Sequence, residues 1–462
     1  MFAARSSGRP LPAGRPHEVL AAAADLLGRP LPRRGIGQDA ALALVGRVFE
    51  EYGANLAHPL TAAHLQPPAL AVAVHADALA SASNASLDTY DSGPAAIAVE
   101  RWVLTALTGL AGFGPDAAGV FTPGGTLSNL TALLLARDHA ARRLGVDVRA
   151  DGVAAVPEPV VLCSELAHFS VQRACAALGL GERAVRPVSV DASRRMRTDA
   201  LVAGLRAGGT PVAVVATAGT TDFGTVDPLA EVAEVAAEHG VWLHVDAAYG
   251  FGALFSDRLA GLVDGIGLAD SVTADLHKIG WQPAAASVLL VRSAAAFATL
   301  ERSVAYLNPE DDRAEGYDGT LGRTLQTTRR PDAVKVAATL LALGREGLGA
   351  LVDRCHALAG HVAARIAADP AFELVGGVAL TTVVFRYLAA DPALADRVNA
   401  TLRRDLMRSG TALVGRTEVD KATCLKLTLL NPAATESDLT ALLDLVRQAG
   451  AAAERTLEEG VA

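Results

Sequence analysis

Aromatic side chains and cysteines are both scarce in this chain of 462 residues. Only 4% of the residues are aromatic, and the four cysteines, at positions 163, 175, 355 and 424, are far apart. Such spacing indicates neither a disulfide framework nor a zinc site, so we expect no metal. Cys163 lies close to a histidine motif, but a small buried filler is the simpler interpretation. Reduced thiols in the cytoplasm are the expected state.

A basic excess and a long apolar run are absent as well. The net charge is −9 and the pI is near 5.7, whereas a nucleic-acid surface needs a clustered basic face. Apolar runs such as residues 69–80 are too short to cross a membrane, and the early arginines precede no apolar stretch that could act as a signal peptide. We therefore expect a cytoplasmic protein without nucleic-acid or membrane partners, and 51% hydrophobic residues allow a large core.

Strand-like and helix-like segments alternate in the central part of the chain. Four apolar runs predict strands at residues 160–163, 212–217, 241–245 and 287–291. Alternation of this kind is typical of a doubly wound α/β sheet. Pro331 and Asp332 predict the start of a helix that stops near Gly344 and Gly347, and two later strands are expected at 381–387 and 424–430.

A lysine and an aspartate carry the clearest chemical signal. Lys278 lies in the stretch Ala-Asp-Leu-His-Lys, and Asp246 ends the apolar run that begins at Val241. Pyridoxal phosphate needs an amine to hold its aldehyde and a carboxylate against its ring nitrogen, and these two residues can supply both. A strand end would deliver Asp246 to the ligand crevice of an open sheet, although a plain turn cap is the alternative for this residue alone.

A glycine turn before a helix offers a place for the phosphate. Gly124 and Gly125 allow close approach of the backbone, and Thr126 can donate a hydroxyl at the start of the helix. Most glycine turns before helices bind nothing. The order of glycine turn, aspartate and lysine along the chain is what favours a pyridoxal-phosphate site.

These motifs together resemble the group II pyridoxal-phosphate-dependent decarboxylases, which include aromatic amino acid, glutamate and diaminobutyrate decarboxylases. The sequences at residues 325–330 and 429–432 are most similar to those of the bacterial branch that includes diaminobutyrate and siderophore-pathway lysine decarboxylases. The motifs that carry the resemblance are His58-Pro59, residues 84–89, the glycine turn, residues 167–170, residues 216–221, residues 246–249, His277-Lys278 and Tyr306-Leu307.

The resemblance implies fold and assembly. The fold would be the α/β fold type I of pyridoxal-phosphate-dependent transferases, similar to aspartate aminotransferase, with a doubly wound, mainly parallel sheet and a smaller C-terminal α+β domain. Residues 1–75 would form a helical segment that packs on the partner subunit, residues 76–335 the large cofactor-binding domain, and residues 336–462 a linking helix and the small domain. A homodimer with a shared active site follows.

Site roles are implied as well. His168 would stack on the cofactor ring and flank the substrate carboxylate, although an isolated histidine here would be interpreted as a helix cap. Thr217 would lie near the ring, His277 near the phosphate, and Ala248 would contact the cofactor. In the aromatic branch a lid tyrosine from the other subunit is the proton donor, and Tyr317 is the only tyrosine in the polar stretch 308–322. Its position is shifted from the expected one, so the identity of the donor stays open.

Substrate choice is less well marked. His64 and Leu65 match the substrate-pocket segment of the family, but Leu65 stands where the aromatic branch has a ring, which favours an aliphatic or aminoalkyl side chain. Trp281 could shape the pocket floor or fill the core. We expect decarboxylation of an amino acid to an amine. The alternatives are decarboxylation with oxidative deamination to an aldehyde, or action on an aromatic amino acid.

Overall fold

We describe a computed structural model of the chain, which covers residues 8–28, 30–302, 304 and 306–459. The helices are α1 Pro16–Leu27, α2 Gln38–Tyr52, α3 Ala71–Ser83, α4 Pro94–Leu110, α5 Gly125–Arg143, α6 Val148–Asp151, α7 Ser170–Ala177, α8 Thr198–Arg206, α9 Leu229–Glu238, α10 Glu310–Ala314, α11 Ala333–Ala367, α12 Ala395–Ser409 and α13 Glu436–Glu459. The strands are β1 Ala118–Thr122, β2 Pro159–Ser164, β3 Val185–Val188, β4 Thr210–Thr217, β5 Trp242–Asp246, β6 Ser271–Asp275, β7 Ser287–Val291, β8 Phe372–Val375, β9 Thr382–Tyr387, β10 Gly415–Val419 and β11 Ala422–Thr428.

Contacts divide the chain into two units. Within the described part of the chain, the first comprises residues 69–353, and the second combines residues 8–68 with residues 354–459. The three-part division predicted from the sequence, with boundaries after 75 and 335, stays a prediction. Among the described residues, no helix combines the length and the apolar character needed to cross a membrane.

The first unit is built on a seven-stranded sheet in the order β1-β7-β6-β5-β4-β2-β3. Strands β3, β2, β4, β5 and β6 run parallel to one another, whereas β7 is antiparallel to both β6 and β1. Every residue of β1, β5, β6 and β7 is buried, as a sheet covered on both faces requires. The predicted mainly parallel α/β fold is therefore confirmed.

Helix α5 fixes one face of this sheet. It packs on β4, β5, β6 and β7, and its buried leucines and alanines join alternate residues of the strands in one core. Because side chains alternate across a strand, Trp242, His244 and Asp246 of β5 all point toward the same face. That face carries polar side chains as well as apolar ones, which is unusual for a central strand.

The second unit has its own core and an antiparallel sheet in the order β10-β11-β9-β8. Helices α12 and α13 pack together, and the core includes Phe385, Leu402 and Leu442. In the same unit α1 packs against α2, and neither helix contains a buried residue. The predicted small α+β domain corresponds to the C-terminal part of this unit.

The predicted helix stop is confirmed at Gly344, where the long helix α11 is interrupted. This glycine has φ 61° and ψ −176°, outside the helical region and in a part of backbone space that favours glycine. The predicted strands at 160–163, 212–217, 241–245, 287–291, 381–387 and 424–430 all occur, with ends shifted by at most two residues.

A buried ion pair anchors the segment that leads into α11. The guanidinium of Arg329 donates to both carboxylate oxygens of Glu100 on α4, at 2.9 and 2.7 Å. Its Nη2 also donates to the hydroxyl of Thr320. The two charged side chains are 4% and 2% exposed. Removing one partner of such a pair leaves a buried charge without compensation, which costs about 3–5 kcal/mol.

We therefore expect Arg329→Met to lower the free energy of unfolding by about 3–5 kcal/mol, measured by urea denaturation followed by circular dichroism. The matched control is Arg345→Met, because the ion pair of Arg345 with Asp257 has side chains 48% and 84% exposed. Exposed pairs contribute about 0–1 kcal/mol, so the control should change little. Equal small losses in both variants would contradict the anchoring role of Arg329.

Candidate active site

Three neighbouring parallel strands end at the same edge of the sheet in polar residues. Strand β4 ends at Thr217, β5 at Asp246 and β6 at Asp275, and the register pairs Thr217 with Asp246. The carboxyl ends of parallel strands are where open α/β sheets bind ligands. The predicted position of Asp246 at this edge is therefore what the strand pairing produces.

Lys278 lies one turn beyond the end of β6. Its backbone N–H donates to the carbonyl of Asp275, and its Nζ is 2.9 Å from Asp275 Oδ2. The lysine side chain is 21% exposed and the aspartate side chain 3%. The amine is thus held by a buried carboxylate while still open to a small molecule.

The other lysines occupy different surroundings. The sequence contains four lysines, at positions 278, 335, 421 and 426. Lys335 is fully buried and paired with Asp77 and Asp332, Lys421 lies exposed in the turn between β10 and β11, and Lys426 is buried in β11. Lys278 is therefore the lysine at the carboxyl edge of the seven-stranded sheet.

The glycine turn lies directly against Asp275. Gly125 begins α5, and a Cβ added there would lie 3.0 Å from Asp275 Oδ2 and 3.2 Å from the Cβ of Ala248. Only glycine fits this close approach without displacing a neighbour. Gly124 precedes it and Thr126 is exposed in the first turn, where backbone N–H groups of a helix have no partner within the helix. The structure therefore brings the cradle, Ala248, Asp275 and Lys278 together.

Asp246 is a buried carboxylate with two protein donors. Asn129 on α5 donates from Nδ2 to Asp246 Oδ2 at 2.7 Å, and the N–H of Ala248 donates to Oδ1 at 3.1 Å. The side chain is 6% exposed. The two donors hold this carboxylate in place at the end of β5.

His168 faces the same cluster. Burial lowers the pKa of His168 below its ordinary value, the charges of Asp246 and Asp275 oppose this effect, and that of Lys278 adds to it. Its Nδ1 accepts from the N–H of Ser170 at 3.2 Å, so this nitrogen carries no proton. Its ring also packs against Phe169. The residue is both a helix cap, as the alternative interpretation had it, and a member of the charged cluster.

Thr217 and His277 complete the residues predicted near the cofactor. The hydroxyl of Thr217 is buried, and no hydrogen-bond partner for it occurs within the described ranges, so it is available to a ligand. His277 Nδ1 lies 3.1 Å from the carbonyl of Ala286, and its Nε2 is 3.6 Å from Asp275 Oδ2. Both residues lie at the strand ends that position the aspartates.

The remaining predicted residues have other surroundings. Trp281 is fully buried and its carbonyl accepts from the N–H of Leu70. Tyr317 is exposed and its ring contacts Tyr90 edge-on at 5.5 Å between centroids. His64 and Leu65 belong to the second unit, where His64 is exposed and Leu65 half-buried. The substrate and proton-donor roles of these four residues stay predictions.

Sequence reasoning missed Asp275 and His244. Asp275 ends its strand as Asp246 does, three residues before the lysine, and His244 lies two residues before Asp246 on the same face of β5. Asp275 lies in the motif that was interpreted from Lys278, and His244 lies in the motif that was interpreted from Asp246. The alternation of side chains along β5 was the signal that could have identified His244.

The arrangement fits pyridoxal phosphate. An open lysine amine, a buried carboxylate that accepts from an asparagine, a helix start that only glycine can form here and an unpartnered threonine hydroxyl lie along one sheet edge. These are an aldehyde-binding amine, a partner for a ring nitrogen and a place for a phosphate dianion.

Comparison with known proteins agrees with the geometry. Residues 50–388 match the family described as pyridoxal-dependent decarboxylase conserved domain. The L-2,4-diaminobutyrate decarboxylase of Rhizobium meliloti strain 1021 is 44% identical over 424 residues, which cover 90% of this chain and 83% of that protein. The enzyme of the same name from Acinetobacter baumannii is 35% identical over 426 residues, with 89% and 84% covered.

Solved structures show the same fold. A glutamate decarboxylase domain of diaminobutyrate-pyruvate transaminase and L-2,4-diaminobutyrate decarboxylase from Vibrio parahaemolyticus superimposes with a TM-score of 0.86 at 31% identity, covering 96% of this chain and 91% of that one. Mouse CSAD gives a TM-score of 0.88 at 28% identity, covering 97% and 94%. The chain therefore belongs to the pyridoxal-dependent decarboxylase family, and it is a carboxy-lyase that uses pyridoxal phosphate to convert an amino acid to the amine and carbon dioxide.

Proposed function

We propose that the substrate is L-2,4-diaminobutyrate, which decarboxylation converts to propane-1,3-diamine and carbon dioxide. The observation that carries this proposal is the 44% identity, over 90% of the chain, to an enzyme named for that substrate. Leucine at position 65 also supports an aminoalkyl side chain, because an aromatic substrate would favour a ring at this position. The carboxylate of the substrate is replaced by a proton on the α-carbon.

Lys278 is proposed to hold the cofactor through its aldehyde. The amine must lose a proton before it can attack a carbonyl carbon, and Asp275 Oδ2, at 2.9 Å, is the adjacent acceptor. The pair also holds the amine in place while the site is open. His277 Nε2 is 3.6 Å from the same oxygen, so this residue is positioned to contact either Asp275 or a phosphate.

Asp246 is proposed to face the ring nitrogen, with the first amides of α5 at the phosphate. When bound, the cofactor acts as an electron sink for the substrate bond that is held perpendicular to its ring. The carboxylate of Asp246 keeps the nitrogen protonated and so sustains that property. Gly124, Gly125 and Thr126 would bind the phosphate, where the helix start favours an anion.

His168, Thr217 and Ala248 are proposed to orient the ring and the substrate. A mostly neutral imidazole, which burial favours in His168, can lie flat against a ring without the cost of burying a charge. The free hydroxyl of Thr217 is available to a polar group of the cofactor. Ala248 contributes the N–H that holds Asp246 and the small side chain that lies beside the cradle.

We propose a homodimer whose interface includes α1 and α2. The apolar side chains Leu42, Val45 and Phe49 form a stripe at helical spacing on α2, and they are 66%, 47% and 74% exposed. Leu20 and Leu27 of α1 are exposed as well. Symmetric pairing would cover an apolar surface that a monomer would leave in water.

A cytoplasmic location is proposed on two grounds. All four cysteines are unpaired and buried, as expected for thiols in a reducing compartment. Amino acid substrates and the cofactor are intracellular metabolites in general.

The role of Lys278 is tested by covalent attachment. In Lys278→Ala we expect the near-visible absorbance of the protein-bound cofactor to vanish and turnover to be lost, because no amine remains at the sheet edge. Borohydride reduction followed by intact mass should show a fixed cofactor in the wild type and in the control Lys421→Ala only. Attachment that persists in Lys278→Ala would contradict the assignment.

Substrate choice is tested by a panel of the twenty common amino acids with L-ornithine and L-2,4-diaminobutyrate. We expect the highest kcat/KM for L-2,4-diaminobutyrate, with carbon dioxide and propane-1,3-diamine formed in equal amounts and no aldehyde or peroxide. One additional methylene in a fitted pocket costs about 1–3 kcal/mol, so L-ornithine should be about 10–200-fold poorer. A higher kcat/KM for any other amino acid, or an aldehyde as the main product, would refute the proposal.

The interface is tested by charge insertion. Leu42→Glu combined with Phe49→Glu should convert a particle of twice the chain mass of 47.4 kDa into a monomer, because two carboxylates would be buried in an apolar contact. Sedimentation velocity reports the mass. Leu144→Glu, at a leucine 49% exposed on the first unit, is the matched control and should stay dimeric. A dimer that survives the double substitution would place the interface elsewhere.

A further inference from the structure

A chain of buried polar groups runs behind Asp246, between β5, β6 and α5. We propose that Asn129, His244 and Ser271 form a one-directional hydrogen-bond relay that holds the carboxylate of Asp246 aimed at the ring nitrogen of the cofactor. The three are positioning residues, since each acts through the next and only Asn129 contacts Asp246. The inference rests on the role of Asp246 under the proposed function.

Asn129 is the member of the relay that contacts Asp246, and the orientation of its amide sets the direction of the relay. Its Nδ2 donates one hydrogen to Asp246 Oδ2 at 2.7 Å and the other to the hydroxyl of Ser170 at 2.9 Å. The reversed amide would place its oxygen against the carboxylate, where two acceptors repel each other. Both hydrogens are therefore used, and Asn129 Oδ1 is left as an acceptor.

That acceptor decides the tautomer of His244. Its Nε2 lies 3.0 Å from Asn129 Oδ1, so this nitrogen carries the hydrogen, and the hydroxyl of Thr273 at 3.5 Å is at the limit of a hydrogen bond. Complete burial lowers the pKa of His244 to about 4, although the charge of Asp246 and a hydrogen bond to the backbone of Ser271 oppose this. The ring is neutral at pH 7, and Nδ1 must accept.

The far end of the relay agrees with this direction. His244 Nδ1 is 2.9 Å from the hydroxyl of Ser271, which therefore donates its single hydrogen to the ring. The oxygen of Ser271 accepts from Trp242 Nε1 at 2.9 Å, and an indole nitrogen can only donate. Both ends thus give the same order: Trp242 to Ser271, to His244, to Asn129, to Asp246.

A relay with this order stabilises a negative charge at its end. Each donor polarises the next one in the same sense, and the effect is larger in a buried, weakly screened setting. Asn129 Nδ2 and the Ala248 N–H both donate to this carboxylate, and its remaining lone pairs are free to accept from a ring N–H.

The test compares two cofactors on the apoprotein. One is pyridoxal phosphate, and the other is its carbocyclic analogue in which C–H replaces the ring nitrogen, so that it cannot donate to Asp246. Equilibrium dialysis gives the ratio of the two dissociation constants. We expect the wild type to favour pyridoxal phosphate by about 10–100-fold, the range for a hydrogen bond to a charged group.

The variants remove the relay without touching Asp246. His244→Phe should lower the ratio by about tenfold, and Ser271→Ala, which removes one oxygen, should lower it by about threefold, because the last donor becomes weaker or reverses. Two controls should keep the wild-type ratio. Asn399→Ala removes a buried asparagine whose side chain forms hydrogen bonds with the backbone of Tyr387 in the second unit. Ser256→Ala removes a buried serine whose hydroxyl donates to Asp353.

The outcomes separate the two claims. A wild type that binds both compounds equally would overturn the role of Asp246 and the relay together. A wild-type preference that both variants retain, with unchanged thermal unfolding, would overturn the relay alone. A lowered ratio in the variants but not in the controls supports the relay, and Ser271→Ala decides the matter if His244→Phe does not fold.

Discussion

A buried carboxylate has to be surrounded by donors, and Asp246 imposes this condition on the centre of the protein. The charge lies at the end of a strand whose every residue is buried, so its neighbours must supply N–H groups rather than water. Asn129 reaches it from α5 and Ala248 from the turn after β5. The polar residues of β5 and β6 that would be unexpected in a core follow from the same condition.

The charged groups at the sheet edge each have a partner. Asp275 pairs with Lys278, and Asp246 accepts hydrogen bonds from Asn129 and from the backbone N–H of Ala248. A cofactor that brings a phosphate dianion and a ring cation would enter between these groups. The buried ion pair of Arg329 and Glu100 stabilises another segment, because it holds the residues before α11 against α4. Each of these interactions stabilises one polypeptide segment rather than the whole core.

The elements predicted from the sequence share a common character. Strands β2, β4, β5, β7, β9 and β11 are apolar runs of clear length, and all were predicted. Strand β6 was not, because Ser271, Thr273 and Asp275 make three of its five residues polar, and these side chains find their partners, such as His244 on β5 and Lys278, only once the chain has folded. Strand β1 contains Gly119, where a Cβ would lie 2.9 Å from the carbonyl oxygen of Leu289 on β7. This glycine is needed because the neighbouring strand approaches closely. When only the local sequence is considered, such a glycine is easily interpreted as part of a turn.

The sequence by itself determined the chemistry of this protein: an amine at 278, a carboxylate at 246, a glycine turn at 124–125, and the order in which they occur. Residue type and local spacing suffice for these, since they reflect what the cofactor needs. Only the tertiary structure decided that Asn129 reaches across 117 positions of the chain to Asp246, and that His244 Nε2 lies 3.0 Å from Asn129 Oδ1. Those facts depend on parallel strand register and on the packing of α5 over β5. Both join residues far apart in the chain, and local sequence carries no record of such contacts.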